Sequence, residues 1–136
     1  MTNSPPTVRT VTELDHARLD RLVRRQPGSQ GDDIADVIDS ADLVASQDIP
    51  ADVVTMNSQV LVAEVPGGEE RKLTLCYPAD VDPVAGFISV LSPVGSSLLG
   101  QSVGAVANWT APDGTLMSNT VLAILSQPGA PGDKPL

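Results

Sequence analysis

Aromatic side chains are nearly absent from this sequence, which has only Tyr77, Phe87 and Trp109 among its 136 residues. A pocket that holds a planar ligand by ring stacking therefore has few side chains to draw on. The core must be built from Val, Leu, Ile and Ala. Hydrophobic residues still make up 41% of the chain, which is enough for one domain, or for one domain with a small appendage.

Cysteine and histidine occur once each, as Cys76 and His16. A single cysteine excludes an intrachain disulfide and a cysteine-rich zinc cluster, and we expect neither a metal nor a cofactor. A nucleophile–base pair would have to combine His16 with Cys76 or with a serine. The surrounding pattern favours a surface histidine and a buried, structural cysteine.

Positive charge is also scarce, because 8 Lys and Arg residues stand against 17 Asp and Glu, giving a net charge of −9. Phosphate backbones repel such a chain, so we expect no direct nucleic-acid binding, whereas a basic protein surface would attract it. The sequence also lacks a signal-peptide pattern and an apolar run long enough to span a membrane. These features predict a cytoplasmic protein with no membrane partner.

Two amphipathic helices are predicted within the first 50 residues. The first begins at a capping box, Thr12-Glu13-Leu14-Asp15, with Asp in place of Glu, and ends near residues 27–28. The second is capped by Asp32 or Asp33. Its apolar residues have i, i+3, i+4, i+7 spacing: Ile34, Val37, Ile38, Ala41, Val44 and Ala45. With a turn over residues 28–31, the two helices predict a short antiparallel, coiled-coil-like hairpin.

From residue 51 onward the hydrophobic period changes to two, which is typical of β-strands. The pattern predicts an α+β fold in which a small antiparallel sheet carries one short helix. Strands are expected over 59–65, 72–77, 87–91, 105–111 and 115–125, and the helix over 94–99. Residues 1–10 and 127–136 have the composition of disordered tails.

The segment from Phe87 to Gly104 is the most informative motif. It reads as a strand, a Ser92-Pro93-Val94-Gly95 corner, a short helix closed by Gly100, and a second glycine. The pattern Ser-Pro-Val-Gly-x-x-Leu-Leu-Gly closely resembles the signature of the C-terminal domain of the Gre transcript-cleavage factor family. Upstream, residues 52–58 (Asp-Val-Val-Thr-Met-Asn-Ser) are similar to the first strand of that domain in a small member of the family.

The resemblance covers about residues 50–126, and the N-terminal hairpin only in layout. It implies an FKBP-like domain over residues 51–126, preceded by the short hairpin over 11–50. It also implies a protein that docks on RNA polymerase at the rim of the secondary channel. In Gre factors the corresponding loop carries Asp-Ser-Pro and contacts that rim. Here an apolar residue replaces the aspartate, so the implied contact residues are Leu91, Ser92, Pro93, Val94 and Gly95.

The paired carboxylates of Asp32 and Asp33 lie at the tip of the predicted hairpin. Gre factors use acidic residues at the end of a long coiled coil to hold magnesium in the polymerase active site. The local reading is that Asp32 and Asp33 suit the positive end of the second helix. A helix of about 12 residues reaches roughly 18 Å at 1.5 Å per residue, several-fold less than the Gre hairpin. The resemblance therefore implies a non-catalytic regulator that competes with longer-armed factors.

Three other functions stay open at the level of the sequence. The first is a true cleavage-stimulating factor that uses Asp32 and Asp33. The second is an FKBP-like prolyl isomerase, which the scarcity of aromatic side chains disfavours. The third is a protein-binding adaptor with an unrelated partner.

Overall fold

The computed structural model describes residues 9–26, 31–65, 68–111 and 113–127. Within them the chain has a mixed α+β architecture, in which two helices precede a five-stranded sheet and a third, short helix. The predicted turns at 28–30, at 66–67 and at Pro112, and the predicted tails over 1–8 and 128–136, lie outside the described residues. The described helices all fall short of the length and apolar character that a membrane crossing needs.

The first helix begins where its capping box predicts. Strand β1 (Thr10–Thr12) leads directly into α1 (Glu13–Arg24), and the Thr12 hydroxyl accepts a hydrogen bond from the Asp15 N–H at 3.0 Å. The reciprocal half of the box is not made. The Asp15 carboxylate instead accepts from the backbone N–H of Met56 at 3.1 Å, so a predicted local bond is replaced by a tertiary one.

The second helix, α2 (Asp32–Ser40), is shorter than its apolar stripe predicts. The prediction that it continues through Val44 is wrong, because the chain extends at Ala41 and forms β2 (Asp42–Val44), which pairs in parallel with β1. The Asp42 N–H donates to the carbonyl of Arg9 at 2.8 Å. This pairing satisfies backbone groups that a longer helix would otherwise have bonded internally.

The start of α2 also differs from the prediction. Its N-cap is Gly31, and no side chain caps it. Asp32 and Asp33 instead occupy the first turn, where their negative charges interact favourably with the helix dipole. The expectation that one of them is the capping residue is therefore wrong, while the favourable charge placement is confirmed.

Five strands form the main sheet, in the order β5-β4-β3-β7-β6. They are β3 (Gln59–Glu64), β4 (Glu70–Cys76), β5 (Phe87–Ser89), β6 (Val106–Thr110) and β7 (Leu116–Ser126). Three of the four pairings are antiparallel, but β4 and β5 run parallel. The prediction of a wholly antiparallel sheet is thus wrong at this edge, because the connection over residues 77–86 crosses back before β5 begins.

Residues 52–58, expected from the resemblance to be a strand, form an irregular loop instead. Val53 makes a single β-bridge to Ser102, and Asn57 has a φ of 67°, which ends any extended run. Val54 and Met56 are buried in this loop. The motif therefore contributes core side chains and backbone donors rather than a sheet strand.

One hydrophobic cluster joins the N-terminal helices to the sheet. Leu19 of α1 and Ile34 of α2 belong to the same cluster as Val60 of β3 and Leu98 of α3 (Pro93–Leu98). Hydrogen bonds reinforce this packing at residues that the sequence analysis assigned to the two tails. The Thr10 N–H donates to the carbonyl of Gly100 at 3.1 Å. At the other end, the Gln127 amide donates to two carbonyls, each at 2.7 Å.

Candidate functional site

The corner between β5 and α3 is held by a compact set of hydrogen bonds. The Ser92 hydroxyl accepts from the Gly95 N–H at 3.1 Å and donates to the carbonyl of Ser89 at 2.6 Å. The Leu91 N–H donates to the Ser89 hydroxyl at 3.0 Å. Pro93 occupies the first helical position, where its missing N–H leaves no bond unmade. Ser92 is therefore the N-cap of α3, and the corner is locally well fixed.

The five predicted contact residues differ in what they offer to a partner. Pro93 is exposed, and Leu91, Ser92 and Val94 are half-buried, with Leu91 and Val94 packed against the core. Gly95 is buried, and a Cβ atom there would collide with the carbonyl oxygen of Ser89. The structure thus brings the first four residues to one surface, whereas Gly95 permits close packing of α3. Their role in binding stays a prediction.

A groove lies beside this corner, between α2, α3 and β6. Its volume is about 400 Å³, and both Asp33 and Pro93 line it. The structure therefore places one predicted tip carboxylate next to the predicted corner. The other, Asp32, is exposed. The remaining lining residues are Arg9, Asp36, Val37, Ser96, Ser97, Asn108, Trp109 and Thr110.

Arg9 is a site residue that sequence reasoning missed, because it fell within the predicted tail. Its guanidinium donates to the carbonyls of Ser96 at 2.6 Å and of Leu99 at 3.3 Å. These are the unpaired carbonyls that any helix leaves at its C-terminal end. Burial lowers the pKa of Arg9. No local signal could have identified this contact, since its partners are 87 and 90 residues away.

Asp15 forms a second polar centre, at the junction of α1 and the loop over residues 52–58. Burial raises the pKa of its carboxyl, while the hydrogen bond from Met56 and the charge of Arg18 act in the opposite direction. A smaller cavity of about 170 Å³ adjoins it. This carboxylate links the N-terminal helices to the sheet region, which the sequence suggested only as a capping residue.

Cys76 is unsuited to nucleophilic chemistry. Its side chain is 1% exposed, and its thiol donates to the carbonyl of Ile88 at 3.3 Å. Burial, with a further contribution from Asp80, raises the pKa of the thiol, so it stays protonated at neutral pH. Within the described residues, no hydrogen bond joins it to His16. The expectation of a buried, structural cysteine is confirmed.

Comparison with known proteins identifies the relatives of this chain. The family described as "Transcription elongation factor, GreA/GreB, C-term" matches residues 49–126. The chain is 40% identical over 134 residues to the regulator of nucleoside diphosphate kinase of Escherichia coli K12, covering 96% of this chain and 97% of the relative. It is also 36% identical over 103 residues to the elongation factor GreA of Clostridium beijerinckii, covering 76% of this chain but only 62% of that relative.

A solved structure supports the same relationship. The GreA/GreB elongation factor from Nitrosomonas europaea superimposes with a TM-score of 0.74 at 35% identity, over 90% of this chain and 100% of that one. The resemblance that the Ser-Pro-Val-Gly corner and residues 52–58 carry over about residues 50–126 is confirmed by the family match over residues 49–126. The Escherichia coli relative extends the similarity to 96% of the chain. The protein belongs to the GreA/GreB transcription elongation factor family.

Proposed function

We propose that this protein is a non-catalytic transcription regulator that binds RNA polymerase at the rim of the secondary channel and competes there with Gre-type factors. The observation that carries the proposal is the position of Asp33, which lines the same groove as Pro93. The acidic start of α2 thus lies beside the proposed docking corner. A carboxylate so placed cannot reach far beyond the surface that binds.

The lengths and packing of the N-terminal helices support this reading. α1 has 12 residues and α2 has 9, which correspond to roughly 18 and 14 Å. Leu19 and Ile34, one from each helix, are fully buried in the cluster shared with the sheet. The helices are therefore anchored on the sheet region. The same proposal includes an FKBP-like domain over residues 51–126 and a helical hairpin over residues 11–50. It also includes a cytoplasmic location.

The nature of the exposed surfaces supports a protein partner. Leu91, Pro93 and Val94 give the corner a largely apolar character, which suits contact with another protein. The net charge of −9 disfavours direct binding to nucleic acid. Among the relatives, one is named a regulator and the others are named transcription elongation factors.

A prolyl isomerase is disfavoured by where the aromatic residues lie. Phe87 is on β5 and Trp109 on β6, and these strands form opposite edges of the sheet. Four strand spacings, or roughly 19 Å measured along the sheet, separate the two strands. Tyr77 follows β4, next to β5. These three side chains cannot wall one pocket around a proline ring.

The proposal is tested by titrating fluorescently labelled protein with bacterial core RNA polymerase, with and without excess GreA. We expect saturable binding that GreA displaces. Pro93→Asp should weaken it at least ~10-fold, or about 1.4 kcal/mol, because it puts a charge into an apolar contact. Pro93 is exposed and Asp is favourable in a first helical turn, so the fold should persist.

Pro83→Asp is the matched control, because Pro83 is also exposed and also opens a helical turn, but on the loop before β5. It should leave binding unchanged. Absence of any polymerase binding, or equal effects of the two variants, would contradict the proposed docking site.

The non-catalytic part of the proposal needs a separate measurement. We expect no magnesium-dependent transcript cleavage when the protein is added to a stalled elongation complex, whereas GreA should produce it. Cleavage that Asp32→Asn together with Asp33→Asn abolishes would instead assign the exposed carboxylates a catalytic role.

A further inference from the structure

The edge strand β6 carries backbone groups without a partner among the described residues. Its sheet neighbour, β7, lies on one side only. At the two ends of this pairing, the Val121 N–H donates to Ala105 and the Ala111 N–H donates to Thr115. The odd-numbered residues of β6 therefore direct their backbone N–H and C=O groups toward β7. The even-numbered ones direct these groups away from it. Those residues are Val106, Asn108 and Thr110.

The groove described above runs along this open edge. Asn108 and Thr110 of β6 line it, and so do Asp33 and Asp36 of α2. An open edge strand is a template for pairing with another extended chain. The residues of α2 that line the groove restrict which side chains such a chain can have.

The charges of the groove favour a basic occupant. Asp33 and Asp36 lie one helical turn apart, and both are exposed. Within the described residues neither forms a salt bridge, since the one present there joins Arg24 to Asp20. The guanidinium of Arg9 also lines the groove, and its bonds to the neutral carbonyls of α3 leave its positive charge in place. Two carboxylates against this one cation leave the charged lining residues net negative. The α2 wall is therefore negative, with its charges available to a ligand.

Trp109 adds a second feature that suits a basic side chain. It is half-buried and lines the groove between Asn108 and Thr110. An arginine guanidinium stacks favourably on an indole face. Carboxylates and one aromatic ring thus meet at the same groove.

We propose that this groove binds an extended, basic segment of a partner protein by strand addition to β6. The backbone of that segment pairs with the free groups of Asn108 and Thr110. Its Lys or Arg side chains, at alternate positions, pair with Asp33 and Asp36. Main-chain bonds supply affinity and the carboxylates supply specificity. The groove adjoins the proposed docking corner, since Pro93 lines it, but strand addition rests on β6 and α2 and not on polymerase binding.

The composition of the chain argues against its own segments as occupants. Residues 1–8 contain no Lys or Arg and include two prolines, and residues 128–136 contain one Lys beside an Asp and include three prolines. Proline lacks the N–H that strand addition requires. A second copy would bring its own acidic groove and a net charge of −9 to the first. Charge complementarity therefore favours a different protein.

The test uses a fluorescein-labelled peptide of sequence Thr-Arg-Val-Arg-Thr-Arg-Val and the full-length protein. Binding is measured by anisotropy, and amide hydrogen exchange is measured by NMR. We expect the amides of Asn108 and Thr110 to become protected when the peptide binds. The Trp109 amide, which already faces β7, should not change. A peptide of equal charge with N-methyl groups on its pairing edge should bind at least ~10-fold more weakly.

Matched variants separate the two parts of the interaction. Asp33→Asn combined with Asp36→Asn should weaken binding at least ~10-fold. Asp39→Asn, on the same helix but outside the groove, should have little effect. Asn108→Pro removes the outward N–H, a change that an edge strand tolerates, and should therefore weaken peptide binding. Its control, Asn108→Ala, removes only the side-chain bond from Ser118 and should bind normally.

Several results would overturn the proposal. Unchanged exchange at Asn108 and Thr110 would exclude strand addition, as would equal binding of the N-methylated peptide. An effect of Asp39→Asn as large as that of the double variant would indicate general charge attraction. Protection of these amides before peptide is added would mean that a segment of the same chain, or a second copy, already fills the groove.

Discussion

Among single residues, Asp15 is subject to two opposing influences. Burial disfavours its charged form and raises its pKa from the ordinary value of 3.8, while Met56 and Arg18 favour that form without cancelling the effect. The folded protein thus binds the Asp15 proton more tightly than the unfolded chain does. The contribution of this carboxyl to stability is fully present below pH 3.8, and it is lost as the pH rises through the raised pKa.

Two substitutions separate the charge of Asp15 from its hydrogen bond. Asp15→Asn keeps an acceptor for the Met56 N–H and removes the buried charge. The difference in unfolding free energy between this variant and the native protein should therefore shift in favour of the variant as the pH rises from 4 to 7. Asp15→Ala leaves that buried N–H unpaired and should cost about 1–3 kcal/mol. Urea denaturation at both pH values measures these differences. Equal destabilisation by Asn and Ala at pH 7 would contradict this account.

At the scale of elements, the corner between β5 and α3 depends on a close approach of two backbones. Gly95 lies in α3 against the carbonyl oxygen of Ser89, with no room for a Cβ atom. The same carbonyl accepts bonds from the N–H and the hydroxyl of Ser92. The glycine of the family-like motif is therefore required by packing, whatever the neighbouring residues contact.

This close approach predicts a large cost for Gly95→Ala. The added methyl group must push α3 away from β5, and we expect a loss of ~3 kcal/mol, at the upper end of the usual range for overpacking. Gly114→Ala is the matched control. Gly114 has a φ of 88° with open space around it, so only backbone conformation is affected, at about 1 kcal/mol. Thermal denaturation compares the two, and equal losses would contradict the packing explanation.

At the scale of the whole molecule, the N-terminal helices and the sheet share their core. Leu19, Ile34 and Ile38 belong to one buried cluster with residues of β3, β4, β7 and α3. The buried bond from Met56 to Asp15 spans the same boundary. These contacts couple the stability of the two regions.

Shared packing predicts a single cooperative unfolding transition. Leu19 is completely buried, so Leu19→Ala should cost about 2–5 kcal/mol. It should lower the denaturant midpoint of unfolding by the same amount in two signals, the helix signal in far-UV circular dichroism and the fluorescence of Trp109 on β6. Trp109 is the sole tryptophan, so the second signal reports on β6 and its surroundings. Loss of the helix signal at lower denaturant than the Trp109 signal would show independent units.

The sequence by itself determined the elements whose causes are local. Thr12 and Ser92 bond N–H groups three residues ahead, so the starts of α1 and α3 could be predicted. Alternating burial along β3 was likewise legible from its own residues. The corner motif indicated the family, because its residues are close together in the sequence and can be recognised without the tertiary structure.

Only the tertiary structure decided the contacts between distant residues. The end of α2, the parallel pairing of β4 with β5, and the bond from Asp15 to Met56 each depend on a partner that periodicity does not specify. The groove is the extreme case, because Arg9, Asp36 and Trp109 come from three separate parts of the chain. Hydrophobic burial brings these parts together without regard to sequence separation, so local pattern could predict the elements but not the surface they form.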